Sequence, residues 1–169
     1  MRVRPERASD AAAVRRVLLA AFETATEADL VERLRGDVDG YLAWVACSFD
    51  EVVGHVAFTP LTIDAAPCAG MGLAPLAVAP PHQRRGVGTA LVHSGLAALR
   101  ARGDAFVALV GHPRYYPRFG FEPASRFGLR SAQWPDVPDD VVMALVLDPT
   151  RPPPQGGAFR FAPPFDGID

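Results

Sequence analysis

Residues 71–103, MGLAPLAVAPPHQRRGVGTALVHSGLAALRARG, decide the fold. An apolar segment that contains Pro75 runs into a glycine-containing turn, and the turn opens a helix. The helix is indicated because apolar residues after Gly86 recur at steps of three and four. It ends at Gly103, which suits the left-handed conformation that commonly follows a helix. The stretch therefore predicts a strand over 71–79, interrupted at Pro75, followed by a helix over 86–102.

The start of this helix predicts a phosphate site. The first N–H groups of a helix have no partner inside it, and the dipole favours an anion there. Gly86 and Gly88 carry no side chain that would keep a ligand away. The spacing is Gln-x-x-Gly-x-Gly rather than a dinucleotide fingerprint or a Walker loop. The chain also has no lysine, which excludes a Walker loop and a lysine Schiff base.

Two motifs carry a resemblance to a known family. Residues 72–90 resemble the acetyl-CoA motif of the GNAT N-acetyltransferase superfamily, and YYPRFGF at 115–121 is similar to its later Tyr-x-x-x-Gly-Phe segment. GHPRYYPRFGF at 111–121 is similar to a bacterial branch of predicted acetyltransferases. The resemblance covers roughly residues 1–147. It implies an α/β (α+β) fold with a mixed, mainly antiparallel central sheet and helices on both faces.

The resemblance implies transfer of an acetyl group from acetyl-CoA, without a metal, to a primary amine that attacks directly in a ternary complex. Tyr116 matches the family's general acid, and a phenol with a pKa of about 10 stays protonated at neutral pH. The N–H of Val78 is expected to donate a hydrogen bond to the carbonyl oxygen of the acetyl thioester. The residues expected to bind acetyl-CoA are Leu76, Ala77, Val78, Gln83, Arg84, Arg85, Gly86, Val87, Gly88 and Thr89.

Pro75 has two interpretations. In the family, the strand before the phosphate loop separates from the strand after the helix, and a proline would help to leave the backbone of 76–78 free for the pantetheine arm. The alternative is an edge strand or a bulge with no ligand.

The acceptor side is less well defined, because the family's common Asn-x-x-Ala-x-x-Leu-Tyr pattern is absent before Tyr116. His112 is the candidate base, since an ordinary imidazole pKa of about 6.5 suits proton transfer. It could equally cap the turn before Pro113. Glu27 and Glu32 lie on a predicted helix that borders the acceptor pocket in this fold. Either could hold a cationic amine or lie on the surface.

Other histidines and tyrosines favour structural roles. His55 lies in an apolar strand and is expected to be a core histidine with its hydrogen bonds satisfied. Tyr115 is expected to pack with neighbouring aromatic residues.

Two alternative functions remain open. An acyl-CoA-binding sensor without catalysis would share the phosphate loop, and loss of the common asparagine leaves room for it. A nucleotide-dependent transferase is disfavoured because no acidic pair for Mg²⁺ accompanies the loop.

Composition limits the partners. A net charge of −2 argues against nucleic-acid binding. No apolar run approaches the ~20 residues of a membrane span, so no membrane partner is expected. Cys47 and Cys68 lack metal or redox spacing, and no export signal precedes the chain's first element, so a cytoplasmic location is expected. The acceptor is expected to be a small-molecule or peptide amine, and the protein a monomer or homodimer.

The pattern predicts one domain over 1–148 and a Pro/Gly/Phe-rich tail over 149–169 that packs on it, with an edge strand at 158–162 or a dimer contact as options. A helix over 26–35 and a loop over 64–70 are also expected. The other predicted strands lie at 2–4, 41–49, 52–63, 105–110, 127–130 and 140–147.

Overall fold

Nine strands and three α-helices make up the regular structure in a computed structural model that describes every residue from 1 to 169. The strands are β1 (Arg2–Pro5), β2 (Leu42–Ser48), β3 (Glu51–Ile63), β4 (Ala66–Val78), β5 (Phe106–Val110), β6 (Glu122–Pro123), β7 (Leu129–Ser131), β8 (Val142–Val146) and β9 (Gly157–Arg160). The helices are α1 (Ala11–Ala21), α2 (Thr26–Asp37) and α3 (Val87–Arg102). Unit one comprises 1–59, 74–98 and 167–169, and unit two comprises 60–73 and 99–166.

In unit one the strands follow one another across an antiparallel sheet. β1 pairs with β2, and β2 pairs with β3, where Leu42 lies opposite Phe58. β4 occupies the other edge of β3, and the N–H of Ala79 donates to the carbonyl of Val53 at 2.9 Å. The order in this unit is therefore β1-β2-β3-β4.

Helices cover both faces of the strands in unit one. A Cβ built on Gly54 would approach Leu91 of α3 to 2.9 Å and Val87 to 3.0 Å, so α3 lies close against the face that carries Gly54. His55 follows Gly54 and points to the other face, together with Val45 opposite it. Val45 is buried in one cluster with apolar residues of α1 and α2.

In unit two β5 lies between β4 and β8. It pairs with β4 in parallel over three residue pairs that end at Gly72 and Ala108, although β5 continues to Val110. β8 pairs antiparallel with β5 along its whole length, and β6 pairs antiparallel with β8. Two parallel pairs, β4 with β5 and β7 with β9, among several antiparallel ones make the sheet mixed and mainly antiparallel, and the predicted fold class is confirmed.

The segment after residue 149 contributes a strand and an aromatic cluster to unit two. β9 pairs antiparallel with the end of β3 and parallel with β7, so it has a neighbour on each side and is not an edge strand. Phe159, Phe161 and Phe165 are buried, and a Cβ on Gly72 would approach the Phe161 ring to 2.4 Å. The division into a domain over 1–148 and a tail stays a prediction.

Two predictions for residues 64–79 are wrong. β4 begins at Ala66, so the predicted loop over 64–70 shrinks to a turn at Asp64 and Ala65, with φ of 48° and 66°. Such turns usually carry Gly at the second position, and Ala65 in its place explains the missing signal. β4 also passes through Pro75 without a break, because a proline removes only one backbone donor.

The remaining predicted strands with stated bounds and the α-helices occur within two residues of those bounds, while β6 has no predicted counterpart.

Candidate active site

The loop before α3 is shaped by two residues with positive φ. Arg84 has a φ of 57° and Gly86 a φ of 80°, and α3 begins directly afterwards at Val87. The N–H of Ala90 donates to the carbonyl of Gly86 at 3.0 Å, which is a first-turn bond of the helix. The N–H groups of the three residues between them therefore have no helical acceptor. They form the predicted anion-binding end of α3.

The same loop has room for a ligand. A Cβ built on Gly86 would meet no heavy atom within 4 Å, and Gln83, Arg84 and Arg85 are exposed. The space beside Gly86 is therefore open, and two arginines add positive charge next to it.

The end of β4 presents backbone groups away from β3. Since the N–H of Ala79 points to β3 and strand residues alternate, the N–H of Val78 and that of Leu76 point to the opposite side. The carbonyl of Val78 accepts a hydrogen bond from Nε2 of Gln83 at 3.0 Å. Ala77 is buried, and its backbone points to β3. Two of the three predicted strand residues thus offer a free N–H, and Gln83 ties the loop to the strand.

Close packing under α3 fixes the loop's position, and sequence reasoning missed it. Gly54 lets the first turns of α3 approach β3, since any Cβ there would meet Val87, Leu91 and the carbonyl of Ala77. The available signal was a glycine inside the otherwise apolar strand VVGHVAF.

Tyr116 lies in a short 3-10 turn, Tyr116–Phe119, in unit two. Tyr116 is 8% exposed, and its ring packs edge-on against two others. The distance between ring centres is 5.8 Å to Phe121 and 5.1 Å to Tyr115. Burial, and then the neighbouring Tyr115, raise the pKa of Tyr116, so its hydroxyl is protonated at neutral pH and is a weaker acid than an exposed phenol. Gly111 makes room for it, because a Cβ there would lie 2.6 Å from the Tyr116 ring.

Tyr115 and His112 both precede Tyr116 in the chain. The guanidinium of Arg118 lies 4.4 Å from the Tyr115 ring centre, and Tyr115 also packs edge-on against Phe119 at 5.5 Å, as its expected packing role requires. His112 is exposed, and its carbonyl accepts the N–H of Tyr115 at 3.1 Å. The latter bond closes a turn at Pro113 through the backbone alone, and the role of the His112 side chain stays a prediction.

The two predicted carboxylates of α2 differ in their surroundings. Glu32 is exposed and pairs with Arg15 at 3.0 Å, beside Asp29 on the same arginine. Glu27 lies in the first turn of α2, and its Oε2 is buried with no hydrogen-bond partner. A buried carboxylate oxygen without a partner is costly. It is therefore suited to receive a cationic ligand.

The expectation that His55 is a core histidine with its hydrogen bonds satisfied is only partly met. It is fully buried, as a core histidine should be, and its Nε2 lies 3.3 Å from the hydroxyl of Tyr41. Its Nδ1 has no hydrogen-bond partner, so the side chain is not fully satisfied.

The acetyl-CoA residues predicted from sequence and both α2 carboxylates belong to unit one, while Tyr116 and His112 belong to unit two. No group of three or more His, Cys, Asp or Glu side chains could hold a metal ion. No helix is long and apolar enough to cross a bilayer.

Comparisons with known proteins agree with this geometry. A family model described as an acetyltransferase (GNAT) domain matches residues 2–124. The uncharacterized N-acetyltransferase YhbS of Escherichia coli K12 is 38% identical over 138 residues, which span 80% of this chain and 81% of YhbS.

Two solved structures are similar over nearly the whole chain. YhbS from Escherichia coli in complex with CoA superimposes with a TM-score of 0.92 at 32% identity, covering 99% of this chain and 93% of that one. A GNAT acetyltransferase from Brucella melitensis in complex with acetyl-CoA gives a TM-score of 0.80 at 32% identity, covering 98% and 97%.

Proposed function

The chain belongs to the GNAT acetyltransferase family and is a GNAT-type acetyltransferase, and on that basis we propose that it moves an acetyl group from acetyl-CoA to a primary amine. The observation that carries the proposal is the open, glycine-lined end of α3, with its helical N–H groups and two arginines at Arg84 and Arg85. The CoA and acetyl-CoA in the two similar structures support the same donor.

Residues of the loop and of β4 would hold the donor. The N–H groups from Val87 to Thr89 would bind a phosphate, and the N–H groups of Leu76 and Val78 would hold the rest of the molecule along β4. Bound acetyl-CoA supplies an acetyl group held as a thioester, with a thiolate as leaving group. The Val78 N–H would stabilise the negative charge that develops on the carbonyl oxygen.

Proton transfer completes the reaction. The amine nitrogen forms a bond to the carbonyl carbon, the carbon–sulfur bond breaks, and the Tyr116 hydroxyl gives its proton to the sulfur. The proton lost by the amine goes to a base, for which His112 is the candidate, and returns to Tyr116 through solvent. The Tyr116 hydroxyl is protonated at neutral pH with or without the burial that raises its pKa, so the acid role rests on the match of Tyr116 to the family's motif.

Glu27 would hold the acceptor. Its unpartnered Oε2 would gain as partner an ammonium group of the acceptor other than the neutral amine that attacks, whereas Glu32 already pairs with Arg15. This favours Glu27 over Glu32 and a cationic acceptor over a neutral one. Monomer or homodimer, and a cytoplasmic location, stay predictions.

The test is an acetylation assay that follows free thiol released from acetyl-CoA with a diamine, an aminoglycoside or a short peptide as acceptor. We expect release above the acceptor-free rate with at least one of them. Glu27→Gln should raise the KM for that acceptor about tenfold, since a charged hydrogen bond is lost, and leave the acetyl-CoA KM unchanged. Glu32→Gln, the matched control, should leave both KM values unchanged.

Tight acetyl-CoA binding with no thiol release for any acceptor would contradict the enzyme proposal and favour the sensor. Equal changes in the acceptor KM for Glu27→Gln and Glu32→Gln would contradict the proposal that Glu27 binds the acceptor.

A further inference from the structure

Unit one contains a second concave region, away from the loop before α3. A cavity of about 420 Å³ is lined by the end of β1, the last turns of α2 and the start of β2. β1 is the edge strand of its sheet, and β2 and β3 separate it from β4. The cavity therefore shares no residue with the acetyl-CoA site proposed above.

A carboxylate in the cavity wall, Glu6, already has all of its acceptor positions filled. Its Oε1 accepts from Nε of Arg35 at 3.0 Å and from Nη2 at 2.5 Å. Its Oε2 accepts from the hydroxyl of Tyr41 at 2.7 Å and lies 3.5 Å from Nε2 of His55. A carboxylate has about four lone-pair positions; three hydrogen bonds reach this one, and the buried His55 ring lies against the remaining side of Oε2.

Glu6 and Tyr41 keep their protonation states at neutral pH, Glu6 ionised and Tyr41 neutral. Burial acts to raise the pKa of Glu6, but the hydrogen bonds from His55, Tyr41 and Arg35 outweigh it and hold the pKa below its usual value. Burial, followed by the charge of Glu6, raises the pKa of Tyr41, so its hydroxyl remains a donor. Glu6 is thus a permanently ionised group whose charge Arg35 balances, and it has no acceptor position left for a ligand.

Donors, in contrast, are available in the same wall. Nη1 of Arg35 makes no hydrogen bond, and the exposed side chain of Arg7 lines the cavity as well. Most of the remaining lining is apolar and includes Leu42 and Trp44. A wall with spare cationic donors, no spare acceptor and an apolar floor fits an anion attached to an apolar body.

We propose that this cavity binds a small organic monocarboxylate, whose carboxylate accepts hydrogen bonds from Arg35 and Arg7 and whose apolar body packs against Leu42 and Trp44. The volume lies within the range of small-molecule pockets. A carboxylate matches the planar guanidinium better than a single-point anion does. The site is independent of the acetyl-CoA loop, so the ligand binds whether or not the donor is present.

The experiment is a titration of the ¹⁵N-labelled full chain with benzoate, followed by the indole N–H signals of the two tryptophans. Trp134→Phe identifies which signal belongs to Trp44. We expect the Trp44 signal to shift saturably and the Trp134 signal, from unit two, to stay in place. Benzamidine has the same ring with a cationic group, and we expect it to bind at least about tenfold more weakly. Saturating acetyl-CoA should leave the benzoate titration unchanged.

Substitutions of the arginines complete the test. Arg7→Gln and Arg35→Gln should each weaken benzoate binding about tenfold, the loss expected for one charge-assisted hydrogen bond. Arg7 is exposed, so its variant keeps the test open if Arg35→Gln does not fold. Arg126→Gln, an exposed arginine of unit two, is the control and should bind benzoate like the wild type.

Four results would overturn the proposal. They are no saturable shift of the Trp44 signal, benzamidine binding as tight as benzoate binding, loss of the shift when acetyl-CoA is added, and equal weakening by Arg7→Gln and Arg126→Gln.

Discussion

The loop at 83–89 and the segment around Tyr116 are built in different ways. The loop offers backbone N–H groups, whose directions follow from the left-handed φ of Gly86 and from the start of α3. Tyr116 offers a side chain, whose position depends on the rings of Phe121 and Tyr115 and on the missing side chain of Gly111.

This difference decides which substitutions each region tolerates. The side chains at 84 and 85 are exposed and can change while the N–H groups persist. Around Tyr116, a single added methyl group meets an aromatic ring. A backbone site should therefore fail only when its space or φ is lost, and a side-chain site should fail when any packing partner changes.

The largest effect on turnover is expected from Tyr116→Phe. Removing the hydroxyl keeps the ring packing and removes the proton donor, so kcat should fall roughly 100-fold or more while acetyl-CoA affinity stays the same. Steady-state thiol release and calorimetry measure the two quantities. Tyr115→Phe is the control and should keep kcat within about twofold, since its ring makes the packing contacts. Unchanged turnover in Tyr116→Phe would remove its acid role.

The second largest effect is expected from Gly111→Ala, which should lower the free energy of unfolding. The added Cβ would lie 2.6 Å from the Tyr116 ring, and overpacking of this kind costs about 1–3 kcal/mol. Urea unfolding measures the loss. Gly36→Ala in α2 is the matched control, because its Cβ would meet nothing within 4 Å, and it should stabilise the protein by about 0.5–1 kcal/mol. A Gly111→Ala protein as stable as the wild type would contradict the packing account of Tyr116.

Gln83→Ala should have the smallest effect. It removes the hydrogen bond to the Val78 carbonyl, worth about 1 kcal/mol, and should weaken acetyl-CoA binding by no more than about fivefold. Calorimetry measures the change, and Gln155→Ala, at another exposed glutamine, should have none. A loss of acetyl-CoA affinity as large as the one expected below for Gly86→Glu would mean that a side chain, rather than the backbone, holds the donor.

The sequence predicted the loop well because its signals are local. Helix periodicity, the glycines and the Gln-x-x-Gly-x-Gly spacing all lie within a few residues of the N–H groups that they position. The mixed sheet followed from the same kind of local pattern together with the family resemblance.

The remaining features depend on packing contacts that no local sequence pattern encodes. Gly54 and Gly111 matter through contacts with α3 and Tyr116, and the orphaned oxygen of Glu27 depends on burial, which no periodicity encodes. The turn at Asp64 and Ala65 was missed because Ala65 stands where such turns usually carry Gly. The local backbone structure was predictable, and the tertiary packing was not.

Calorimetry of acetyl-CoA with Gly86→Glu against Gly167→Glu tests the backbone site most directly. Both glycines have nearly the same positive φ, 80° and 78°, and neither Cβ would meet a neighbour within 4 Å, so the backbone strain is matched. Only Gly86→Glu adds a carboxylate to the end of α3. We expect it to weaken acetyl-CoA binding roughly 100-fold or more, and Gly167→Glu to bind like the wild type. Equal affinity of the two variants would contradict the assignment of the loop as the donor site.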